Sequence, residues 1–271
     1  MDDGYQRLKV THEGPTTLLE LDHGKANEMG SAELAELERL AADLEGSDAT
    51  TLLTFSRKRS SKGTAIFVAG ANVAERQGWE PERVLAHVAR QREVLAALRR
   101  VPAFHVAVVD GVALGWGTEF LLVADYVIAC DGAVFGLPET GLGIVPGAGG
   151  TAEMWARIGP AHTLRLGMTG ERIGPDEALR IGLVHERASS VDEGLVRAGA
   201  LAALAARRSP TALAAFKRGV LDAIGAPAAD RTATEHAAYR TCVDSGEAAI
   251  GRQSFDTVLQ GGTPPWGPRR H

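Results

Sequence analysis

The chain has 271 residues, of which 45% are apolar and 23% charged, and its net charge is −5. This is the profile of an ordinary soluble globular protein, large enough for one substantial domain with a smaller appended part. The acidic balance removes the electrostatic case for nucleic acid, and no apolar run nears the roughly 18 residues of a membrane span. Asp125 breaks the best candidate, Phe120–Cys130.

The start, MDDGYQRLKV, lacks the charged-then-apolar pattern of an export signal, and the two cysteines, Cys130 and Cys242, lie in apolar stretches. Two buried, reduced thiols in a cytoplasmic protein are expected. In chain order, Thr16–Leu21 and Thr50–Phe55 read as short strands, and Phe104–Val109 as a stronger one. Between them Ser31–Leu44 carries Leu34, Leu37, Leu40, Ala41 and Leu44 at helical spacing, with Ser31 placed as the cap. A second helix spans Pro81–Arg100, with Pro81 in its first turn and Val84, Leu85, Val88, Leu95 and Leu98 on one face. Strands alternate with helices to about residue 190, which predicts an α/β core over residues 1–194. From residue 195 to 271 the texture is Ala-rich and helical, notably Leu195–Arg208 and Pro210–Ile224.

Three glycine-containing stretches could carry chemistry: Phe67–Asn72 (FVAGAN), Gly111–Glu119 (GVALGWGTE) and Gly136–Thr151 (GLPETGLGIVPGAGGT). In the second, Gly115 and Gly117 suit a tight turn into a helix whose free N–H groups face an incoming negative charge. None forms a P-loop, a dinucleotide fingerprint after a strand, or a G-x-S-x-G elbow. The eight histidines show no metal-ligand spacing, so no metal is expected. What remains is a carboxylate pair, Glu119 and Glu139, 20 residues apart and each beside a loop able to present N–H donors. Two carboxylates on one site can divide acid and base roles, although glutamates near turns are also common on surfaces. The basic run Ser56–Gly63 (SRKRSSKG) reads either as a solvated loop or as a phosphate contact.

The strings FVAGAN, GVALGWGTEFLLVAD and FGLPETGLGIVPGAGGT, in that order, resemble the crotonase (enoyl-CoA hydratase/isomerase) family, and GKAN at Gly24–Asn27 looks like its early coenzyme A segment. The resemblance implies a spiral of β-β-α units, a helical C-terminal region that takes part in assembly, and homotrimers that often pair into hexamers. It implies an acyl-CoA or carrier-bound thioester as partner, with coenzyme A arriving as part of the substrate and no separate cofactor. By position, the backbone N–H groups of Ala71 and Trp116 match the oxyanion hole and Glu119 and Glu139 the catalytic pair. Lys25, Ala26, Asn27, Ala69, Gly70, Asn72, Gly115 and Gly117 match substrate-binding positions. Glu119 is then the base for water and Glu139 the acid at Cα.

Three features depart from the pattern. Trp116 stands where hydratases usually have glycine, Asn72 replaces a commoner aspartate, and the Ser56–Gly63 segment is longer and more basic. They point to a specialised acyl group, and the indole is expected either to line the acyl pocket or to pack inward. Keeping both glutamates favours hydration or dehydration over isomerisation, thioester or C–C hydrolysis, or an idle subunit that only binds a partner.

Overall fold

Three successive segments repeat one motif, a strand, a second strand and a helix. The structure, a computed structural model that describes residues 4–270, opens with a hairpin of β1 (Lys9–Glu13) and β2 (Thr16–Glu20) and then helix α1 (Ser31–Glu45). The first repeat is β3 (Thr51–Phe55), β4 (Ile66–Val68) and α2 (Pro81–Arg100). The second is β5 (Phe104–Val109), β6 (Val112–Leu114) and α3 (Trp116–Phe120), and the third β7 (Tyr126–Cys130), β8 (Val134–Gly136) and α4 (Met154–Thr169). After α5 (Pro175–Arg180) and β9 (Glu186–Ala188) come helices alone: α6 (Val191–Ala205), α7 (Pro210–Ala223), α8 (Ala228–Asp244), α9 (Glu247–Gln253) and α10 (Phe255–Leu259).

Each repeat gives its first strand to one sheet and its second to another. The larger sheet has the order β1-β2-β3-β5-β7-β9, antiparallel at β1–β2 and parallel thereafter. The smaller, β4-β6-β8, is wholly parallel. The chain thus winds as a spiral of β-β-α turns. Strands β3, β5 and β7 are buried along nearly their whole length, so their sequences are mostly apolar rather than alternating. Of the three short strands of the smaller sheet, only β4 is legible in the sequence, as the apolar approach to the Gly70 turn.

Two local expectations change. Helix α1 is capped at Gly30, whose N–H is accepted by the Glu33 carboxylate at 3.1 Å; Ser31 instead gives its N–H to Glu75. On α2, Leu85 is exposed, and the buried face is His87, Gln91, Val94, Leu95 and Leu98. Two polar residues on that face are invisible to a hydrophobic-periodicity reading. Cys130 is buried, while Cys242 is only partly so, and both are free. Among the described residues, no helix is long and apolar enough to cross a membrane.

Helix α6 lies on the larger sheet, its Gly194 against Val108, whereas α7 and α8 pack chiefly on each other. A part-buried ion pair ties α7 to the core. Lys217 Nζ donates to Asp125 Oδ2 at 2.7 Å and to the Ala103 carbonyl at 2.9 Å, and the same Asp125 oxygen accepts the His105 N–H at 2.8 Å. Burial lowers the pKa of Lys217, and Asp125 opposes that shift. Replacing the cation alone, Lys217→Met, leaves Asp125 without its counter-charge and should cost about 3 kcal/mol in chemical denaturation. A loss below about 1 kcal/mol would be that of an exposed pair.

Candidate active site

The three sequence stretches singled out above follow β4, β6 and β8, neighbours in the small parallel sheet, so all leave from its C-terminal edge. In open parallel sheets that edge is where ligands bind. Ala69–Asn72 continues β4 and runs beside residues 26–29. Ala69 N–H donates to Ala26 O at 3.0 Å, Met29 N–H to Gly70 O at 3.0 Å and Asn72 N–H to Met29 O at 2.8 Å. In such a parallel bridge, Met29 uses the groups flanking Ala71, so the N–H of Ala71 itself points the other way, toward the β6 side.

Gly115 turns the chain from β6 into α3 with φ 53°, ψ −119°, and only glycine adopts that shape without strain. A side chain there would also collide, since a Cβ on Gly115 would sit 2.5 Å from Glu139 Oε1. Gly117 lets α3 press onto β4, where a Cβ would come within 2.3 Å of the Val68 carbonyl. Thr118 secures the turn: its hydroxyl donates to Ala113 O at 2.6 Å and accepts the Gly136 N–H at 3.1 Å, joining the ends of β6 and β8. At the far end of α3, Arg157 donates to Leu121 O at 2.6 Å and Ala124 O at 2.9 Å. Neither Thr118 nor Arg157 was singled out by sequence. Both serve backbone carbonyls, for which no side-chain pattern exists.

Glu119 is 2% exposed, and its Oε1 accepts the N–H groups of Ala148 at 2.7 Å and Gly150 at 2.9 Å. Burial raises its pKa, and those two donors oppose the rise. The Gly147–Gly150 cluster, unassigned in the sequence, is thus the clamp on this carboxylate. Glu139 is held differently. Its Oε2 is buried with no hydrogen-bond partner, and burial first, then the nearby Glu119 charge, push its pKa up to about 7. The structure therefore brings together Ala69, Gly70, Ala71, Asn72, Gly115, Trp116, Gly117, Glu119 and Glu139.

The remaining candidates lie beside this group. Ala26 is bonded to Ala69, and Lys25 is exposed. Asn27 is fully buried in left-handed backbone at φ 53°, with its amide nitrogen within hydrogen-bond reach of Leu21 O, Ser56 Oγ and Phe67 O and its Oδ1 accepting the His23 N–H. Its side chain locks the turn, so only the backbone around it can face a ligand. Arg57, Lys58 and Arg59 pair with Asp192, Asp22 and Asp110, at 2.7, 3.0 and 3.9 Å. That pairing matches the solvated-loop reading better than a free phosphate site. The Trp116 ring turns inward, 2% exposed and 5.5 Å from Phe120, which also meets Phe67 at 6.0 Å and His105 at 5.7 Å.

A β-β-α spiral with a carboxylate pair at the C-terminal edge of its small sheet is an arrangement able to transfer protons on a bound substrate. A family model described as enoyl-CoA hydratase/isomerase matches residues 60–266, and the chain belongs to that family. It is 31% identical over 232 residues to the bovine mitochondrial enoyl-CoA hydratase domain-containing protein 2, covering 84% of this chain and 77% of that one. To the crotonyl-CoA hydratase of Syntrophomonas wolfei it is 30% identical over 163 residues, 60% of this chain and 61% of that one. Its fold is that of the solved enoyl-CoA hydratase from Bacillus anthracis, with a TM-score of 0.87 at 28% identity over 96% of this chain and 99% of that one.

The contact between Gly115 and Glu139 is directly testable. Gly115→Ala imposes both a strained φ and a collision with the carboxylate. Turnover should fall on the order of 10²-fold, with KM nearly unchanged, because misplacing a reacting group mainly affects the chemical step. Near-normal kcat would mean that Glu139 does not act from this position.

Proposed function

We propose that the protein hydrates a 2,3-unsaturated acyl thioester of coenzyme A, or runs the same reaction in reverse. The observation that carries this reading is the meeting of two differently held carboxylates where three loops leave adjacent parallel strands. Family membership and the crotonyl-CoA hydratase relative support an acyl-CoA substrate.

In this reading the thioester oxygen sits between the N–H groups of Ala71 and Trp116, which stabilise the charge that develops on it. One such donor is commonly worth about 10²–10³ in rate. The direction of the Ala71 N–H, toward the turn that carries Trp116, supports the assignment. A water attacks C3 while Glu119 takes one of its protons, and the C2=C3 electron pair moves into an enolate on the thioester oxygen. The enolate then collapses and C2 takes the proton of Glu139. One C–O and one C–H bond form, one π bond is lost, and Glu119 returns its proton to Glu139 through solvent. Coenzyme A lies along the backbone of Lys25–Asn27, and no further cofactor or metal takes part. Two free cysteines support a reducing, cytoplasmic setting.

Residues 195–271 we assign to assembly. Phe216, Val220 and Ile224 form an exposed apolar stripe along α7 and its end, with Tyr239 and Val243 exposed on the partner helix α8. A homotrimer, or a dimer of trimers, would cover such a surface. Light scattering at micromolar concentration should give three or six chain masses, and a monomer would remove this assignment.

Incubation with crotonyl-CoA should yield a product heavier by one water. Glu119→Gln and Glu139→Gln should each lower turnover on the order of 10²–10⁴, since an amide exchanges no proton in this role. Hydration kcat/KM should fall as pH rises above about 7, where Glu139 loses its proton. Water addition involves no net proton, so dehydration must show the same limb, and Glu139→Gln should abolish it. Full activity in Glu139→Gln would leave a one-carboxylate scheme such as double-bond isomerisation.

A further inference from the structure

Glu119 and the backbone of Trp116 stand on one five-residue helix, α3, whereas Glu139 opens the turn that follows β8. A helix of little more than one turn does not hold itself, since helix nucleation is unfavourable on its own. The spacing of the two carboxyls therefore depends on what ties α3 to the end of β8. Two groups make that tie, and both meet Gly136. The Gly115 N–H donates to Gly136 O at 2.9 Å, and the Thr118 hydroxyl accepts the Gly136 N–H at 3.1 Å.

Thr118 is fully buried, next to Glu119 in the chain and two residues after Trp116. Its hydroxyl has a single proton and lies 2.6 Å from Ala113 O and 3.0 Å from Gly136 O. The shorter contact takes the proton, Gly136 O is already served by Gly115, and the hydroxyl oxygen is left to accept from Gly136 N–H. In the parallel register Leu114 stands opposite Gly136, so Ala113 O is the acceptor that the Gly136 N–H would otherwise meet directly. Thr118 thus sets one hydroxyl on both partners of the last rung between β6 and β8. Beyond that rung the chain passes through buried Leu137 to Glu139, three residues on, whose Oε1 lies against Gly115.

We propose that Thr118 is a positioning residue: its hydroxyl, shared by the ends of β6 and β8, fixes the distance between the Glu119 and Glu139 carboxyls. The proposal rests on the hydratase reading for what the two glutamates do, but not for where they stand. Thr118 acts through the rung and touches no reacting atom. Valine has nearly the shape of threonine without the hydroxyl. In Thr118→Val the Gly136 N–H can turn to Ala113 O, so the sheet survives while its last rung, and Glu139 with it, moves. Serine keeps the hydroxyl and should keep the spacing.

The spacing has a readout apart from turnover. Burial first, then the Glu119 charge, hold the Glu139 pKa up at about 7, and both weaken if the carboxyls part and water enters. In protein with isotopically labelled glutamate carboxyls, the NMR signal lost in Glu139→Gln reports that titration. It should stay near its wild-type midpoint in Thr118→Ser and fall by about one unit in Thr118→Val. Thr118→Ala, which cannot overpack the site, should behave as the valine variant does. Hydration kcat should drop on the order of 10²-fold in Thr118→Val at nearly constant KM, and Thr118→Ser should recover most of it. A Glu139 titration unchanged in both Thr118→Val and Thr118→Ala, or lowered equally in Thr118→Ser, would overturn the proposal and leave Thr118 to packing. A midpoint lowered only where the hydroxyl is lost, in a protein whose wild type adds no water to crotonyl-CoA, would uphold the positioning and sink the hydratase reading alone.

Discussion

A carboxylate taken out of water has to be met by donors, and in this protein that requirement shapes the site. Glu119 projects from a short helix into the interior, and the amides that satisfy it belong to Ala148 and Gly150, thirty residues downstream. To bring them there, the chain must complete a third turn of its spiral and return in a loop with little side-chain bulk. The composition GAGG at Gly147–Gly150 follows from that approach. The same closeness sets the other glycines, Gly117 against Val68 and Gly115 against Glu139. Each position brings two turns of the spiral into contact where a methyl group would intervene.

The buried polar groups fall into two kinds. Asn27, Thr118, Arg157 and Lys217 are met by carbonyls or a carboxylate and hold loops, helix ends and α7 in place. Glu139, Arg76, His87, Gln91 and Trp116 keep unmet atoms. Those of the first kind are distributed through the fold, and unmet atoms also occur far from the small sheet, as on Thr51, Arg187, Glu247 and Arg269.

Most of the framework was readable from the residues. Phe104–Val109 and Pro81–Arg100 agree with expectation to the residue, because long periodic runs and a first-turn proline are local signals. The glutamate pair and its glycine turns were also legible, though their family meaning came from resemblance. Three-residue strands such as Ile66–Val68 were not, since pairing to distant segments makes them strands. Ser31 looked like a cap because capping is inferred from side chains, yet the backbone of Gly30 and the reach of Glu33 perform it. His87 and Gln91 were hidden for a related reason: a polar residue on a helix is assigned to water unless something else places it.

The unequal treatment of the two glutamates also bears on their roles. Both carboxyls are pressed toward the neutral form by burial, and the Glu119 charge disfavours that of Glu139 further. Only Glu119 receives two N–H donors, which stabilise an anion and offer nothing to a protonated acid. Glu139 has only its own backbone N–H as a donor, and its Oε2 has no partner. When the pair shares a single proton, hydrogen bonding therefore favours the charge on Glu119 and the proton on Glu139. This is the distribution that water addition to a polarised double bond requires at its start. The loop that clamps Glu119 thus gives the proposed assignment of base and acid a physical ground.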